Sequence, residues 1–167
     1  MRPDTTIIGM GNPILSDDAV GVHLARDVNL ALCGRPDVLV VEECSVGGLN
    51  LLEYLEGFER AVVLDAIHTR GGVPGTCYRF TAARLRETAH LCNVHDANFA
   101  TALALGRSLG MALPEDRDIH VFAVEIVDDM TFGTELTPAV ARKYPLCLKR
   151  VMRGLKTLLG DSPALVT

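Results

Sequence analysis

Residues 5–28, TTIIGMGNPILSDDAVGVHLARDV, decide the fold of this chain. The stretch begins with a short apolar run typical of a buried strand, turns through a loop that contains two glycines, and continues at helical spacing. The apolar stripe of the helical part is Val20, Leu24 and Val28. The pattern predicts a strand at Thr5–Gly9 and a helix from about Asp17 that packs back against it.

The same alternation of β-type and helical runs continues along the chain and predicts an α/β fold. We expect three α/β/α layers around a twisted, mostly parallel sheet of about five strands. The later strands are expected at Val38–Glu42, at Ala61–Leu64 closing on Asp65, near Cys77–Phe80 and at His120–Ile126. The strand near Cys77–Phe80 follows the glycine-rich stretch 71–75 and is interpreted as the candidate antiparallel edge.

Three helical patterns follow the first helix. A short helix carries Leu49, Leu52 and Leu55, and a middle helix runs from about Asp96 to Leu109 with Phe99, Ala102, Leu105 and Leu109 inward. The last helix begins at Thr137-Pro138, a cap followed by proline, and Pro145 should kink or divide it before Leu159. We expect a single domain over residues 1–160 and a flexible tail over 161–167.

Composition restricts the class of protein. Apolar residues make up 49% of the chain, charged residues 22%, and the net charge is −5. No basic run predicts nucleic-acid binding, and no apolar run approaches the roughly 20 residues of a membrane helix. Without a signal-peptide pattern, we expect a cytoplasmic protein. No helical pattern shows an exposed apolar stripe, so we expect a monomer. The five cysteines form no Cys-x-x-Cys pair, which disfavours a zinc ribbon or a disulfide framework.

Three segments should meet beyond the carboxyl ends of the strands, where open parallel sheets bind ligands. They are the turn after the first strand with Asp18, the end of the third strand with Asp65, and the loop before the middle helix with His95. Two carboxylates and an imidazole suit nickel, zinc, manganese or iron. His68 is a candidate that competes with His95 as the ligand. Cys92 lies three residues before His95, a spacing that metal ligands allow, but two residues are a weak signal.

Each of these residues also has a structural interpretation. Ser16 and Asp17 can cap the helix while Asp18 faces the crevice, and Asp65 can bind backbone N–H groups in its own turn. Asn12 can orient a substrate carbonyl, but a role as a turn residue is slightly favoured.

A dinucleotide fingerprint is a further alternative for the first loop. Gly9-x-Gly11 matches its start, but Ile14 stands where the third glycine belongs and Pro13 lacks an N–H for phosphate. Acids at the start of the helix also oppose an anion there. A nucleotide-binding domain is therefore the weakest hypothesis.

The motifs together resemble the hydrogenase maturation endopeptidase family. Four segments match the family's motifs, in the same order and over nearly the whole chain. They are Gly9-x-Gly11-Asn12-x-x-Leu15-x-Asp17-Asp18-x-x-Gly21-Val22, Leu64-Asp65-Ala66, His95 and Leu136-Thr137-Pro138-x-Val140. The resemblance implies a protease that removes the C-terminal extension of the nickel–iron hydrogenase large-subunit precursor after nickel insertion.

The resemblance also implies that Asp18, Asp65 and His95 are the metal-sensing and catalytic residues. The nickel would be carried by the precursor, and no organic cofactor is expected. A checkpoint protein or chaperone that docks on the nickel-loaded precursor without cutting it would use the same residues.

Two features depart from the family pattern. Asp18 stands where glutamate is frequent, which shortens the side chain by one methylene. Residues Glu43-Cys44-Ser45-Val46-Gly47-Gly48 stand where the family has an Asp-Gly-Gly or Asp-Gly-Thr turn.

Overall fold

The computed structural model describes residues 3–45, 48–85 and 94–160, without the side chains of 85 and 94–98. Within these residues, five strands form one sheet in the order β2-β1-β3-β5-β4. The strands are β1 (Thr5–Met10), β2 (Val38–Cys44), β3 (Arg60–Ile67), β4 (Cys77–Thr81) and β5 (Ile119–Glu125). All neighbours pair in parallel except β4, which pairs antiparallel with β5 at the sheet edge. The predicted α/β class and the antiparallel edge strand are confirmed.

Helices cover both faces of the sheet. They are α1 (Val20–Ala31), α2 (Ala82–Leu85), α3 (Val94–Ser108), α4 (Pro138–Ala141) and α5 (Tyr144–Leu159), with short 3-10 helices at Ser16–Ala19 and Gly48–Tyr54. In the part of the chain that the structure describes, no helix combines the length and the apolar character needed to cross a membrane.

Two apolar clusters, one on each face, form the core. Side chains of β1 alternate between them, so Ile7 joins α1 and α5 whereas Ile8 joins α3 and the Gly48–Tyr54 helix. The predicted α1 stripe is confirmed, since Val20, Leu24 and Val28 are fully buried. Burial of each such side chain stabilises the fold by about 1.5–3 kcal/mol.

Strand β3 is longer than the sequence pattern predicted. Asp65 does not close the strand, because the ladder continues through Ile67 and Asp65 itself pairs with Ala123 of β5. The apolar run stops at Leu64, but a strand continues as long as its backbone finds partners. Asp65 therefore projects from inside the sheet at its carboxyl edge.

Helix α3 buries a different face from the predicted one. Phe99 and Ala102 are buried as expected, but Leu105 is 41% and Leu109 71% exposed, and Leu103 lies in the core. Residues 99, 102, 103 and 106 fall on one side at 3.6 residues per turn, and 105 is rotated away from it. Leu109 follows the last residue of the helix, Ser108. Of the three leucines expected on the short helix, Leu52 and Leu55 are buried and Leu49 is 54% exposed.

The last helical pattern is divided, as Pro145 predicted. Helix α4 ends at Ala141, and Pro145 lies in the first turn of α5, where the missing N–H costs no hydrogen bond. The single-domain boundary at residue 160 stays a prediction, and the tail 161–167 lies outside the described residues.

Candidate functional site

Glycines bring the first turn against the ends of two strands. Gly11 has a φ of 128°, and a Cβ there would overlap the backbone carbonyl of Asp18. A Cβ on Gly21 would overlap the carbonyl oxygens of Met10 and Leu64. Only glycine permits these approaches. The 3-10 helix that carries Asp18 consequently lies against β3 at the carboxyl edge of the sheet.

Asp18 is half-buried, and one of its two carboxylate oxygens is engaged. Its Oδ2 accepts the backbone N–H of Asn12 at 2.7 Å, and no described residue donates to its Oδ1. The carboxylate is thus held in place with an oxygen still able to meet a ligand.

Asp65 is also half-buried and is placed by the sheet. Its Oδ1 accepts the backbone N–H of Ala66 at 2.8 Å. Since the Asp18 helix contacts β3, the structure brings both predicted carboxylates to the same edge. This is the arrangement that the crossover rule for parallel sheets predicted.

His95 lies in the first turn of α3 and not in a loop before it, because the helix begins at Val94. The chain after α3 leads to the start of β5, so α3 runs opposite to the strands and its start is directed to the carboxyl edge. The side chain of His95 and the whole of Cys92 lie outside the described residues, and the choice of ligand stays a prediction. His68 is exposed just after β3.

No group of three His, Cys, Asp or Glu side chains is close enough to hold a metal ion within the described side chains. The candidate site in that part of the chain consists of the two carboxylates, Asp18 and Asp65.

Asn12 has the role of a turn residue. Its Oδ1 accepts the backbone N–H of Ile14 at 3.1 Å, which closes an Asx turn. With the N–H of Asn12 bonded to Asp18, two N–H groups of this loop are already satisfied. The loop is therefore poorly suited to cradle a phosphate, and a substrate contact by Asn12 stays a prediction.

Asp17, next to the candidate site, is fully buried and binds a distant loop. Its carboxylate accepts the backbone N–H groups of Val127, Asp128 and Thr137 and the Thr137 hydroxyl, at 2.7–3.3 Å. We call this group of four residues the Asp17 clamp. The expected capping role is wrong in detail, since neither Ser16 nor Asp17 caps the helix and the Ser16 hydroxyl donates to the carbonyl of Glu135.

Glu125 is a second buried carboxylate at this edge, and it was not among the residues predicted from the sequence. It is 1% exposed, and both its oxygens accept from Thr69, from the N–H and from the hydroxyl, each at 2.7 Å. Glu125 thereby orders the loop that follows Asp65 and β3. The signal that pointed to Asp65, an acid after an apolar strand, also stands at Glu125.

The atypical turn after β2 joins the first loop. Gly11 donates its N–H to the Cys44 carbonyl at 3.2 Å, and the Ser45 hydroxyl donates to the Gly11 carbonyl at 3.3 Å. The departure at 43–48 therefore borders the candidate site, although residues 46–47 are outside the described part.

Most described cysteines are buried, as predicted, and Cys33 is exposed. The Cys147 thiol donates to the Gly75 carbonyl at 3.1 Å. A hydrogen bond with Cys147, together with burial, raises the pKa of the Cys77 thiol. These thiols join the start of β4 to α5 and take no part in the Asp18–Asp65 site.

Comparison with known proteins decides the family. The profile of the hydrogenase maturation protease family (HycI) matches residues 6–154. This chain belongs to that family. Among its relatives, the hydrogenase expression/formation protein HupD of Rhodobacter capsulatus is 26% identical over 152 residues, which cover 90% of this chain and 70% of HupD.

Solved structures share the fold. The hydrogenase maturating endopeptidase HybD from Escherichia coli is 22% identical, with a TM-score of 0.72, over 94% of this chain and 93% of its own. The [NiFe] hydrogenase maturation protease HybD from Thermococcus kodakarensis is 24% identical, with a TM-score of 0.68, over 92% and 98%. At these identities the likeness establishes the architecture. The family match supports an endopeptidase role in hydrogenase maturation.

Proposed function

We propose that this maturation protease removes the C-terminal extension of a nickel–iron hydrogenase large-subunit precursor after nickel has been inserted. Asp18, Asp65 and His95 would bind the nickel that the precursor carries, so the metal belongs to the substrate and no organic cofactor is needed. The proposal is supported by the position of Asp18 and Asp65 at the same edge of the sheet, and by an oxygen of Asp18 that accepts from no described donor.

The surroundings of the site favour a protein substrate. The loop bound by the Asp17 clamp and the first loop carry exposed apolar side chains, namely Ile14, Val127, Met130 and Phe132, between 48% and 79% exposed. The two loops are joined by the Leu15–Phe132 bridge and by the bond from the Gly133 N–H to the Ile14 carbonyl. Apolar side chains around a polar centre suit an extended peptide better than a small polar molecule.

Two chemical routes are consistent with this site. One carboxylate can act as general base on a water that attacks the scissile carbonyl, as in an aspartic-type peptidase. The substrate nickel can instead polarise that carbonyl. Both need carboxylates of fixed position, which the Asn12 and Ala66 N–H groups provide for Asp18 and Asp65.

The test uses a precursor with and without nickel, with intact mass as the readout. The wild-type protein should remove a C-terminal peptide from the nickel-loaded precursor alone. Asp18→Asn and Asp65→Asn should each lower the rate at least about 100-fold, because a proton acceptor and a metal ligand are lost. Glu59→Gln, which changes an exposed carboxylate just before β3 at the opposite edge of the sheet, is the control and should cut normally.

Nickel-dependent binding, measured separately by co-purification, distinguishes the second candidate. Complex formation without any mass loss would favour the non-proteolytic checkpoint, which the same two carboxylates also suit. Full cleavage by both Asn variants would exclude the two carboxylates from the mechanism.

A further inference from the structure

A groove rich in positive charge lies between the edge strand β4 and helix α5. Its volume is about 470 Å³. We call it the basic groove, and it is lined by Arg79, Leu146, Lys149, Arg150, Arg153, Gly154 and Thr157. Three of its four cations, Lys149, Arg150 and Arg153, lie close together on α5, and the fold adds Arg79 from β4.

Gly154 gives the basic groove its shape. A Cβ on Gly154 would overlap the ring of Phe122, so the helix approaches the sheet closely at this point. The Arg79 guanidinium lies over the same ring, with its Cζ 5.4 Å from the ring centroid. This cation–π contact stabilises Arg79 in a position beside α5.

The cations of the basic groove have no acidic partner within the described residues. The ion pairs of the described residues all involve arginines outside the groove, namely Arg26, Arg35, Arg107 and Arg117. The chain as a whole carries a net charge of −5, so these four cations form a positively charged patch on a protein of negative net charge. Unpaired like charges repel one another and destabilise the fold, which an acidic partner would reverse.

The dimensions of the groove indicate what kind of anion fits it. Its α5 residues recur along one face of the helix from Leu146 to Thr157. At 1.5 Å per residue this face is roughly 16 Å long. An extended peptide of about five residues covers that length, whereas a single phosphate would meet a fraction of it. Guanidinium groups also bind carboxylates through paired hydrogen bonds.

We propose that the basic groove docks an extended acidic segment of a protein partner. The proposal is independent of the proposed protease function, because it rests on β4 and α5 and not on Asp18 or Asp65. Binding takes place through carboxylates of the segment on Arg79, Lys149, Arg150 and Arg153, and it weakens as salt screens these charges.

The probe is a fluorescently labelled poly-glutamate peptide of about six residues, with binding to the full chain measured by anisotropy. A poly-serine peptide of equal length is the neutral control. We expect saturable binding of poly-glutamate alone, weakened at least about tenfold between low salt and 0.5 M salt. Lys149→Glu with Arg153→Glu should weaken binding by at least about tenfold.

Arg70→Glu with Arg117→Glu is the matched control, since it changes net charge equally at exposed positions outside the groove. It should stay within about twofold of the wild type. The groove variant exchanges one like-charged pair on α5 for another, so the helix should persist, and circular dichroism checks this. Lys149→Ala with Arg153→Ala provides the same test with strong helix formers.

Three outcomes would overturn the proposal. Equal losses in the groove variant and in the matched control would mean that net charge alone attracts the peptide. Equal binding of poly-serine would remove the role of charge. Tighter binding of single-stranded DNA, or displacement of the peptide by inorganic phosphate alone, would assign the groove to nucleic acid or to phosphate.

Discussion

Asp17 and Asp18 are neighbours in the chain, and the structure places their carboxylates in opposite environments. Asp17 is fully buried and accepts four hydrogen bonds from a distant loop, whereas Asp18 is half-buried and accepts one from Asn12. Glu125 resembles Asp17, since both its oxygens accept hydrogen bonds from Thr69. It lies on β5, which pairs with β3, the strand of Asp65. Carboxylates whose oxygens are all engaged hold loops together, and those with remaining acceptor capacity can meet a ligand.

The largest effect on stability should come from Asp17→Asn. The amide presents an NH₂ group to N–H and O–H donors of the Asp17 clamp and leaves some of them buried without an acceptor. We expect a loss of about 3 kcal/mol in the free energy of unfolding, measured by urea denaturation.

The matched control is Asp18→Asn. Its carbonyl can still accept the Asn12 N–H, so the loss should stay below about 1 kcal/mol. Equal losses at the two positions would contradict the distinction between a structural and a ligand-binding carboxylate.

Gly72→Ala, which tests the second buried carboxylate, should have the next largest effect on the free energy of unfolding. A Cβ at position 72 would overlap the carboxylate of Glu125. Displacing that group breaks its bonds to Thr69, at a cost of about 2–3 kcal/mol by thermal or urea unfolding.

The control for this substitution is Gly133→Ala, where the added methyl meets nothing within 4 Å and the change should stay within about 0.5 kcal/mol. Combining Gly72→Ala with Glu125→Ala should cost less than the sum of the two, because the overlapping group is gone. Simple additivity would show that Gly72 and Glu125 do not interact.

The smallest effect concerns a carboxylate at the opposite edge of the sheet, which is paired with a cation. Arg35 donates to Asp37 at 2.5 and 3.0 Å, and this hydrogen bonding holds the pKa of Asp37 below its usual value of 3.8. A lowered pKa in the folded state stabilises the protein above the unfolded value. That contribution is lost as pH falls through 3.8 towards the folded pKa.

Asp37→Asn should therefore cost at most about 1 kcal/mol at pH 7, since the pair is partly exposed to solvent. The difference between variant and wild type should shrink as the pH is lowered to about 3, measured by urea unfolding at each pH. If the stability difference between variant and wild type instead grows as the pH falls, the Arg35–Asp37 ion pair is not its cause.

Much of the fold could be predicted from local pattern. Alternating apolar runs, the Val20 stripe and Pro145 each act on neighbouring residues, so the strands, α1 and the division between α4 and α5 were found. The inward face of α3 was not, because Leu103 and Leu105 are equally apolar and only the facing sheet selects between them.

In the candidate site, too, some features could be predicted from local pattern and others depend on residues distant in the chain. The glycines at 11 and 21 and the acids at 18 and 65 pointed to one edge of the sheet, since parallel strands bring their carboxyl ends together. The partners of Asp17 were beyond the reach of pattern, because Val127 and Thr137 are more than a hundred residues away in the chain. A capping role was the local alternative that the sequence favoured.

By itself, then, the sequence determined the α/β architecture, the family resemblance and the two acids at the carboxyl edge, because these depend on spacing and on residue type. Only the tertiary structure decided which acid binds loops and which keeps a free acceptor, and only it assembled Arg79 with the cations of α5. Burial and hydrogen-bond satisfaction are set by residues distant in the chain, and no local pattern encodes them.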